Sequence, residues 1–552
     1  MSDLDATARS RALDELERGV FDLAVIGGGI TGAGVAREAS LRGLRVALID
    51  AEDYAAGTSS RSSKLIHGGL RYLAMGDVAV VRETALERAV LRRMAPHLAA
   101  RCWMVLPVRS LAGLLKFRTA ITAYEKLGAV AAEDTHRNWD AADIEREEPL
   151  LDRARFPHAC AYREYLTDDA RLVLANLRAA TAAGAVCLNY APADAILRAA
   201  DGRASGIAVR CGLSARRIEV RARCVVNAAG PWVEAIRRLE DPGAPDVLHL
   251  SKGVHVALPA DRFPVRNLVL MTAVDKRSLF AIPRGDVTYI GTTDTTWSGG
   301  PAVWPRIGED DVDYLLQPVA RYFGGQPPRA ADVVAAWAGL RPLVARPGKA
   351  ARDLSRADEV TVGSAGIVTV AGGKLTGYRP MAIRIVECAG TVLGGAMPPR
   401  PTDEPPLPGG DFAGDNGALE REVVAVHGVD AAVARRLVEL YGTEAKEVAE
   451  FGAQPLADGA GVVNGEVTWA VRREGATRAE DVLYRRTRAA LYHPAWREAL
   501  LAPVVESMAA LLGWNPTRRA EEEERTRRLF QLEEPTRSQI PVRAPARKWP
   551  LA

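Results

Sequence analysis

The alternation of apolar runs and turns is most regular in residues 21–50, FDLAVIGGGITGAGVAREASLRGLRVALID. The run DLAVI predicts a short buried strand, and three glycines follow it directly. AGVAREASLRG has the apolar spacing of a helix and ends at Gly43, a residue type that commonly terminates helices. RVALID predicts a second buried strand that ends in an acidic residue. The short connections predict one βαβ unit with parallel strands.

Further along the chain the pattern is less regular. Residues 170–198 predict a long helix followed by a strand. Residues 206–230 predict two β segments joined by a turn, and then a buried strand that ends in a second glycine site. Residues 247–330 contain β-like runs among turns, which predict a largely antiparallel sheet inserted into the first fold. Residues 366–390 again predict a strand, a glycine turn and a helix, so the chain returns to that fold.

A proline-rich segment, residues 397–411, separates two parts of the chain. Clustered prolines hold a chain extended, so this segment predicts a linker and a domain boundary. Beyond it, residues 412–530 carry helical apolar spacing and predict an all-helical domain. The predicted plan is a 1–19 extension, a 20–396 main region with inserted segments that include about 240–335, the linker, the helical domain and a 531–552 tail.

Composition and charge argue against several classes of protein. The 552 residues suffice for two to four domains, and the net charge of +3 gives no support for a nucleic-acid-binding protein. The charged N-terminus predicts no secretory signal, and no apolar run approaches the roughly 18 residues of a membrane span. We therefore expect a cytoplasmic protein whose membrane contact is at most peripheral. The six cysteines are scattered, which is typical of a reducing compartment, and the spacing of histidines and cysteines predicts no metal site.

The glycines after the first predicted strand indicate a ligand. Gly27, Gly29 and Gly32 fit GxGxxG, in which glycines allow a tight turn, close approach of a pyrophosphate and close packing of helix on strand. Asp50 ends the next strand, near the spacing of roughly 20 residues at which an acid binds a ribose hydroxyl. The motif predicts a dinucleotide site and by itself leaves FAD and NAD open. One such unit in a chain of this length suits a flavin better.

A set of motifs matches one known family in order and rough spacing. They are DLAVIGGGITGAG, RSSKLIHGGLRYL, VVNAAGPWV, LSKGVHV, IGTTDT, WAGLRPL, DLSR, VAGGKLTGYR and DVLYRRTR. From about residue 20 to about residue 530, the chain resembles the FAD-dependent glycerol-3-phosphate dehydrogenases of the bacterial aerobic type. The resemblance implies an α/β fold with an α+β insertion: a Rossmann-like FAD-binding domain, a mixed or antiparallel-sheet substrate domain and a C-terminal all-α domain.

The resemblance also implies a reaction and a set of site residues. The reaction is oxidation of sn-glycerol 3-phosphate to dihydroxyacetone phosphate by hydride transfer to FAD. The implied pocket contains Arg71, Tyr72, His255, Arg341, Arg356 and Lys374, with His67 close to the flavin. The implied FAD-binding set is Gly27, Gly29, Gly32, Asp50, Ser62, Ser63, Lys64, Gly68, Thr293, Asp294, Gly373, Lys374 and Thr376.

These residue types suit the implied reaction. A neutral histidine can take the proton of the C2 hydroxyl, and His255 is the first candidate for this base, with His67 the second. Arginine can bind a phosphate dianion in a bidentate fork, so the three pocket arginines are expected to hold the phosphate. Lys374 is expected near the substrate oxygen or the flavin, where its charge and a helix N-terminus stabilise the reduced ring.

Other interpretations stay open from the sequence. The family's dehydrogenases pass electrons to a membrane quinone, whereas related oxidases use oxygen and form hydrogen peroxide, and the shared motifs do not separate the two. An amine or amino-acid oxidase of the same fold is another enzyme class, and a flavin-binding module without activity is a third interpretation. For the basic segment LYRRTR and the arginine-rich C-terminal helices, contact with an anionic membrane and a solvated helix face are both open. A homodimer is also open.

Two positions depart from the family pattern. Gly377 stands where the family usually has a second threonine, and we expect it to loosen the start of the helix that faces the flavin. The residues after DLSR are ADEV, where the family commonly has an acidic residue and a histidine or a similar pair. The match to the family is therefore weakest at Arg356.

Overall fold

The computed structural model describes residues 3–68, 78–345, 358–395 and 397–533. In chain order its strands are β1 (Val20–Ile26), β2 (Val46–Ile49), β3 (Leu65–Ile66), β4 (Ala100–Val108), β5 (Arg137–Trp139), β6 (His158–Leu166), β7 (Val186–Leu188), β8 (Ala193–Arg198), β9 (Ala204–Arg210), β10 (Arg217–Asn227), β11 (Leu248–Pro259), β12 (Leu268–Thr272), β13 (Ser278–Arg284), β14 (Val287–Gly291), β15 (Thr295–Thr296), β16 (Ala335–Val344), β17 (Glu359–Val362) and β18 (Val368–Ala371).

The α-helices are α1 (Arg9–Arg18), α2 (Ile30–Leu41), α3 (Val78–Met94), α4 (Leu111–Leu127), α5 (Ala141–Glu147), α6 (Asp169–Ala182), α7 (Val233–Glu240), α8 (Glu309–Leu316), α9 (Val319–Tyr322), α10 (Tyr378–Leu393), α11 (Asn416–His427), α12 (Ala431–Tyr441), α13 (Ala445–Glu450), α14 (Asn464–Glu474), α15 (Ala489–Tyr492), α16 (Arg497–Leu512) and α17 (Pro516–Leu532). A π-helical turn spans Asp481–Arg486, and short 3₁₀ turns lie at Ala6–Ala8, Thr58–Ser60, Pro96–Leu98, Ala132–Asp134, Gly230–Trp232, Ala330–Asp332, Leu375–Gly377, Gly442–Glu444 and Pro494–Trp496.

The first sheet is built around the predicted βαβ unit. Its strands lie in the order β17–β18–β10–β1–β2–β7, and the hairpin β8–β9 extends it from β10. β1 pairs in parallel with β2 and with β10, and β10 pairs in parallel with β18. β2 is buried along its whole length, as in parallel sheets that helices cover on both faces. The chain turns at Gly43 with a φ of +81° soon after α2 ends, so the predicted unit is confirmed.

Residues 206–230 differ from the prediction in one respect. The second predicted segment and the buried strand after it form one continuous strand, β10. Its first half pairs antiparallel with β9 and alternates between buried and exposed side chains, whereas its last four residues are all buried. The sequence pattern breaks in two because burial changes from one face to both faces within a single strand.

The second sheet is larger than residues 247–330 predicted. Its strands lie in the order β15–β11–β14–β13–β12–β4–β6–β3, with β16 paired to β11 and β5 paired to β6. Its described pairs are antiparallel apart from the parallel pair of β12 with β4. The four strands β3 to β6 come from earlier in the chain. β6 was hard to recognise because Arg163 and Glu164 interrupt its apolar run, and Glu164 is buried in an ion pair with Arg88.

The C-terminal part is helical, as predicted, and its helices α11 to α14 pack around the buried Trp469. The preceding proline-rich segment forms no helix or strand in its described residues, but it is not a free spacer. Its Leu407 is buried, and its Glu404 forms ion pairs with Arg37 of α2 and Arg379 of α10. No helix within the described ranges is both long and apolar enough to cross a membrane. The exact domain limits stay predictions.

The segment LYRRTR is buried, so both expectations for it are wrong. Arg485 and Arg486 lie in the π-helical turn, and both bind the buried carboxylate of Asp53, which follows β2. Burial works to raise the pKa of Asp53, but the charges of Arg486 and Arg485 outweigh it and hold that pKa below its usual value. Residues 483–488 are all buried, so the segment is shielded from solvent.

Arg488 makes a second buried junction with the main region. Its guanidinium donates to Asp168 at 3.0 Å and to Asp169 at 2.9 Å, at the start of α6. Asp169 in turn accepts hydrogen bonds from the backbone N–H of Ser62 at 3.0 Å and from its hydroxyl at 2.7 Å. Ser62 belongs to the segment between β2 and β3 that we call the 57–64 loop. The C-terminal part therefore holds this loop in place.

Replacing Arg486 by methionine tests the first junction. Asp53 would stay buried with one guanidinium fewer, and breaking a buried ion pair in this way typically costs about 3–5 kcal/mol. We expect urea denaturation to show a loss of about that size in the free energy of unfolding. The matched control is Arg528→Met, which removes an exposed arginine paired with Glu524 and should cost less than about 1 kcal/mol. Similar small losses in the two variants would show that the junction contributes little to stability.

Candidate active site

The glycine turn after β1 is formed by close backbone contacts. The N–H of Gly27, which has a φ of +113°, donates to the carbonyl of Ile49 at the end of β2, at 2.8 Å. A Cβ atom on Gly32 would lie 1.9 Å from the carbonyl oxygen of Gly27. A side chain on Gly29 would approach Ser59 Oγ, which accepts from the N–H of Ile30 in the first turn of α2. The turn thus brings the N-terminus of α2 close to the strand, as phosphate-binding turns require.

Asp50 lies beside this turn, as predicted. Its carboxylate accepts from the N–H of Gly28 at 2.6 Å and from the N–H of Glu52 at 2.9 Å. Burial raises the pKa of Asp50 to about 7, although these backbone hydrogen bonds work to lower it. A hydroxyl donor arriving at this carboxylate would favour its ionised form. The turn and the acid therefore fit the pyrophosphate and ribose of a dinucleotide, and Gly27, Gly29, Gly32 and Asp50 are the residues that would hold an FAD there.

His255 lies on β11 in the second sheet, and its side chain is only 1% exposed. Its ring stacks on Trp337 of β16, with centroids 5.1 Å apart and an interplanar angle of 11°. Its Nε2 lies 2.9 Å from Ser63 Oγ in the 57–64 loop. Burial, and then the positive charges of Lys64 and Arg341, hold the pKa of His255 well below its usual value. The imidazole is therefore neutral at physiological pH, as a general base must be.

Arg341 lies on β16, next to β11, and its side chain is partly exposed. The guanidinium donates to the carbonyl of Thr293 at 3.1 Å and to the hydroxyl of Thr292 at 2.9 Å, and it lies 3.5 Å from the carboxylate of Asp294. Gly253 packs beneath it, because a Cβ there would lie 2.3 Å from Nη2. The arginine is thus held in one orientation on the strand next to the one that carries His255.

Two further segments meet here: His67 and Gly68 follow β3, and Thr376 precedes α10. The hydroxyl of Thr376 lies 3.2 Å from both the N–H and the carbonyl of His67, which fixes the chain after β3 against the turn before α10. The N–H of Gly68 donates to the hydroxyl of Tyr124 at 3.0 Å. Gly373 has a φ of +96° and precedes Lys374 at the start of the 3₁₀ turn that leads into α10.

One loop connects these groups to the glycine turn. In the 57–64 loop, Ser59 binds the start of α2, and the Thr58 hydroxyl donates to the carbonyl of Leu340, next to Arg341, at 2.6 Å. Ser63 then reaches His255. The loop therefore runs from the candidate dinucleotide site to the candidate base and the candidate phosphate ligand.

The structure brings some of the implied site residues together and buries the charged end of another, and three others lie outside its described part. His255, Arg341, Thr293, Asp294 and Ser63 come together in one contact network. The ammonium of Lys64 is fully buried, where it lies 3.4 Å from Asp169, so its side chain positions the loop; burial lowers its pKa to about 8. Arg71, Tyr72 and Arg356 lie outside the described residues. The assigned roles stay predictions.

The sequence interpretation missed several residues that shape the site. Trp337, Thr292, Gly253 and Gly291 support His255 or Arg341 directly. Both glycines stand inside quoted motifs, SKGVHV and IGTTDT, so a glycine between apolar strand residues was the available signal. A Cβ on Gly291 would lie 2.0 Å from Cδ2 of His255.

Gly377 has a backbone conformation that does not require glycine. It ends the 3₁₀ turn Leu375–Gly377 and caps α10 with a φ of −97°, which other residues adopt easily. A Cβ there would have Glu83 Oε1, at 3.8 Å, as its nearest neighbour, so a larger residue would fit. The expected loosening of this helix start stays a prediction.

The parallel sheet with its glycine turn, joined to a second sheet that carries His255 and Arg341, defines a flavoprotein oxidoreductase. The model of the family "FAD dependent oxidoreductase" matches residues 22–379, and the model of the "C-terminal domain of alpha-glycerophosphate oxidase" matches residues 400–519. The aerobic glycerol-3-phosphate dehydrogenase of Staphylococcus haemolyticus is 35% identical over 523 residues, which are 92% of this chain and 93% of the relative.

Solved structures agree with this match. The glycerol-3-phosphate dehydrogenase from Bacillus halodurans, complexed with FAD, has a TM-score of 0.80 and 31% identity, and the comparison covers 96% of this chain and 99% of that one. The L-alpha-glycerophosphate oxidase from Mycoplasma pneumoniae, with FAD bound, shares the fold at a TM-score of 0.53 and 17% identity, over 70% and 97% of the two chains. The chain belongs to the aerobic glycerol-3-phosphate dehydrogenase family of FAD-dependent oxidoreductases.

Replacing Gly32 by alanine tests the cofactor turn. The new methyl group would collide with the carbonyl of Gly27 and push α2 away from β1, so we expect the purified variant to lose most of its FAD. The measurement is the ratio of flavin to protein absorbance. Gly395→Ala is the control, because a Cβ there meets no atom within 4 Å and should leave the FAD content unchanged. A fully loaded Gly32→Ala protein would rule out this turn as the dinucleotide site.

Proposed function

We propose that this protein oxidises sn-glycerol 3-phosphate to dihydroxyacetone phosphate, with FAD as the hydride acceptor. The observation that carries the proposal is the pairing of a neutral histidine with a fixed, partly exposed arginine on neighbouring strands, connected by one loop to the glycine turn. Such a site offers a base for an alcohol and a cation for a phosphate. The family membership of the chain supports the same activity.

Each group of the chain has a distinct task in this proposal. Arg341 binds the phosphate, and its bonds to Thr293 and Thr292 orient the guanidinium before substrate arrives. His255 takes the proton of the C2 hydroxyl, because burial beside two cations keeps it neutral. Lys374, Arg71 and Arg356 are proposed to add positive charge to the pocket. When bound, FAD supplies the acceptor for the hydride that leaves C2.

Quinone is the electron acceptor that we propose, and oxygen is the alternative. The named dehydrogenase relatives favour the former. The match of residues 400–519 to a domain named after alpha-glycerophosphate oxidase keeps the latter as a second candidate. A protein that reduces quinone must reach the membrane, and we propose that it does so from the cytoplasm, at the inner face of the cytoplasmic membrane.

The first turns of α4 are the surface that we propose for this contact. Leu111 is 68% exposed and Leu115 is 62% exposed, and they lie one turn apart on the same face of the helix. Lys116 and Arg118 are exposed on the same turns, and residues 109–119 contain no acidic residue. Apolar side chains flanked by cations suit the surface of an anionic bilayer. A second protein copy is the competing occupant, and the proposed homodimer would use it or another face.

Replacing Arg341 by alanine tests the phosphate contact. A hydrogen bond to a charged group is typically worth about 1.5–3 kcal/mol, so we expect kcat/KM for glycerol 3-phosphate to fall roughly ten- to a hundredfold or more. Arg341→Lys should recover only part of the loss, because an ammonium cannot form the bidentate fork. FAD content should stay normal. Anaerobic flavin bleaching by glycerol 3-phosphate and by glycerol, together with steady-state kinetics, measures these changes.

Two results would contradict the proposed function. A wild-type protein whose flavin is not bleached by glycerol 3-phosphate would exclude the reaction itself. An Arg341→Ala variant with unchanged efficiency and an unchanged preference for the phosphorylated alcohol would show that Arg341 is structural. For the acceptor, rapid oxygen consumption with hydrogen peroxide formation, in place of quinone reduction, would favour the oxidase.

Replacing Leu115 by aspartate tests the membrane contact. Burying a leucine side chain contributes about 1.5–3 kcal/mol, so its loss should weaken binding to anionic vesicles about tenfold or more. Sedimentation with phosphatidylglycerol vesicles measures the binding, and added salt should also weaken it. Val426→Asp, at a 62% exposed valine of α11, is the control and should bind as the wild type does. Equal binding of all three proteins would exclude α4 as the membrane contact. Loss of dimers in the Leu115→Asp variant would instead indicate that a second copy occupies this surface.

A further inference from the structure

The ring of His255 is enclosed on almost every side. Its face is covered by Trp337, its edge meets Tyr289 with centroids 6.1 Å apart, and the side chain is 1% exposed. Its Nδ1 is buried, with no hydrogen-bond partner among the described residues. Its Nε2 lies 2.9 Å from Ser63 Oγ. Within the part of the chain that the structure describes, Ser63 is therefore the hydrogen-bonding group that connects this ring with the pocket.

Ser63 is held on both sides while its own side chain stays partly exposed. The Tyr289 hydroxyl donates to the carbonyl of Ser63 at 3.0 Å. The preceding Ser62 is bonded to Asp169, and the following Lys64 is buried with its ammonium 3.1 Å from the carbonyls of Ser60 and Ser62. The hydroxyl of Ser63 is thus placed between the pocket and Nε2 by a backbone that has little freedom to move.

We propose that Ser63 is a proton relay between the substrate and His255. The hydroxyl group on C2 of the substrate gives its proton to Ser63 Oγ. At the same time, the proton that Ser63 carried passes to Nε2 of His255. Bound FAD would accept the hydride from C2, so that the alcohol becomes a ketone and His255 becomes an imidazolium. Ser63 ends the step with one proton, as it began. This inference rests on the proposed oxidation of a secondary alcohol.

The charges around the ring explain why His255 would hold the proton only briefly. Lys64 faces it from the 57–64 loop, Arg341 from β16 and the neutral phenol of Tyr289 from β14. The two cations and burial disfavour the imidazolium, so the proton leaves again once the ketone departs. A phosphate dianion on Arg341 offsets part of this positive charge, which makes His255 a stronger base while substrate is bound.

The test compares Ser63→Ala with the wild type by anaerobic stopped-flow reduction of the flavin by glycerol 3-phosphate. Loss of a proton-transfer group typically slows a reaction by about 10²–10⁴-fold, so we expect the reduction rate constant to fall at least about 10²-fold. The rate constant is read from the bound flavin alone, so it does not depend on the FAD content of the variant, and the apparent substrate affinity should change little. Ser63→Thr keeps a hydroxyl and should retain much more activity. The control Thr181→Ala removes a buried hydroxyl bonded to Leu177 on α6 and should reduce at the wild-type rate.

A double variant separates a relay from two independent effects. If Ser63 and His255 act in sequence, Ser63→Ala with His255→Asn should be no slower than the slower single variant. In both single variants the reduction rate should rise steadily with pH, because the proton is then lost to solvent. In the wild type, rates in mixtures of H₂O and D₂O should fit two protons in flight.

Three results would overturn the relay. They are a normal reduction rate in Ser63→Ala, multiplied losses in the double variant, or a wild-type dependence on D₂O that fits a single proton. Failure of the proposed function would look different. In that case glycerol 3-phosphate would not bleach the flavin of the wild-type protein.

Discussion

The rest of the structure depends on buried ion pairs. They join three arginines within residues 485–488 to aspartates of the main region. Arg485 and Arg486 bind Asp53, and Arg488 binds both Asp168 and Asp169. Removing such charges from water is costly unless hydrogen bonds compensate it, so the partners must meet with accurate geometry. The helical C-terminal part is therefore not an appendage, because it neutralises carboxylates that the first sheet and α6 bury.

The second junction extends directly into the candidate active site. Arg488 fixes Asp169, Asp169 fixes Ser62 and Lys64, and the 57–64 loop then places Ser63 against His255. The same loop touches the start of α2 and the strand that carries Arg341. A single short segment thus transmits the position of the C-terminal part to the glycine turn, to the candidate base and to the candidate phosphate ligand. Preorganisation of this kind is what makes proton and hydride transfer geometry reproducible.

Positive charge in the pocket serves two tasks at once. Arg341 is accessible enough to bind an anion, and it adds to burial and to the charge of Lys64 in holding the pKa of His255 below its usual value. A base that must accept a proton at neutral pH benefits from nearby cations only if substrate then offsets them. A phosphorylated alcohol brings that compensating charge with it, whereas an alcohol without phosphate does not. Electrostatics alone would therefore favour the phosphorylated substrate in the proposed reaction.

The sequence by itself determined the βαβ unit, the glycine turn with Asp50, the return strand and helix at residues 366–390 and the helical C-terminal part. These features follow from local spacing of apolar residues and glycines, and the family motifs added His255, Arg341 and Ser63 as site residues. Only the tertiary structure decided that LYRRTR is buried, that β3 to β6 complete the second sheet and that Ser63 meets His255. The reason is physical: charges far apart in the chain become partners only when folding removes them from water, and local periodicity carries no record of that pairing.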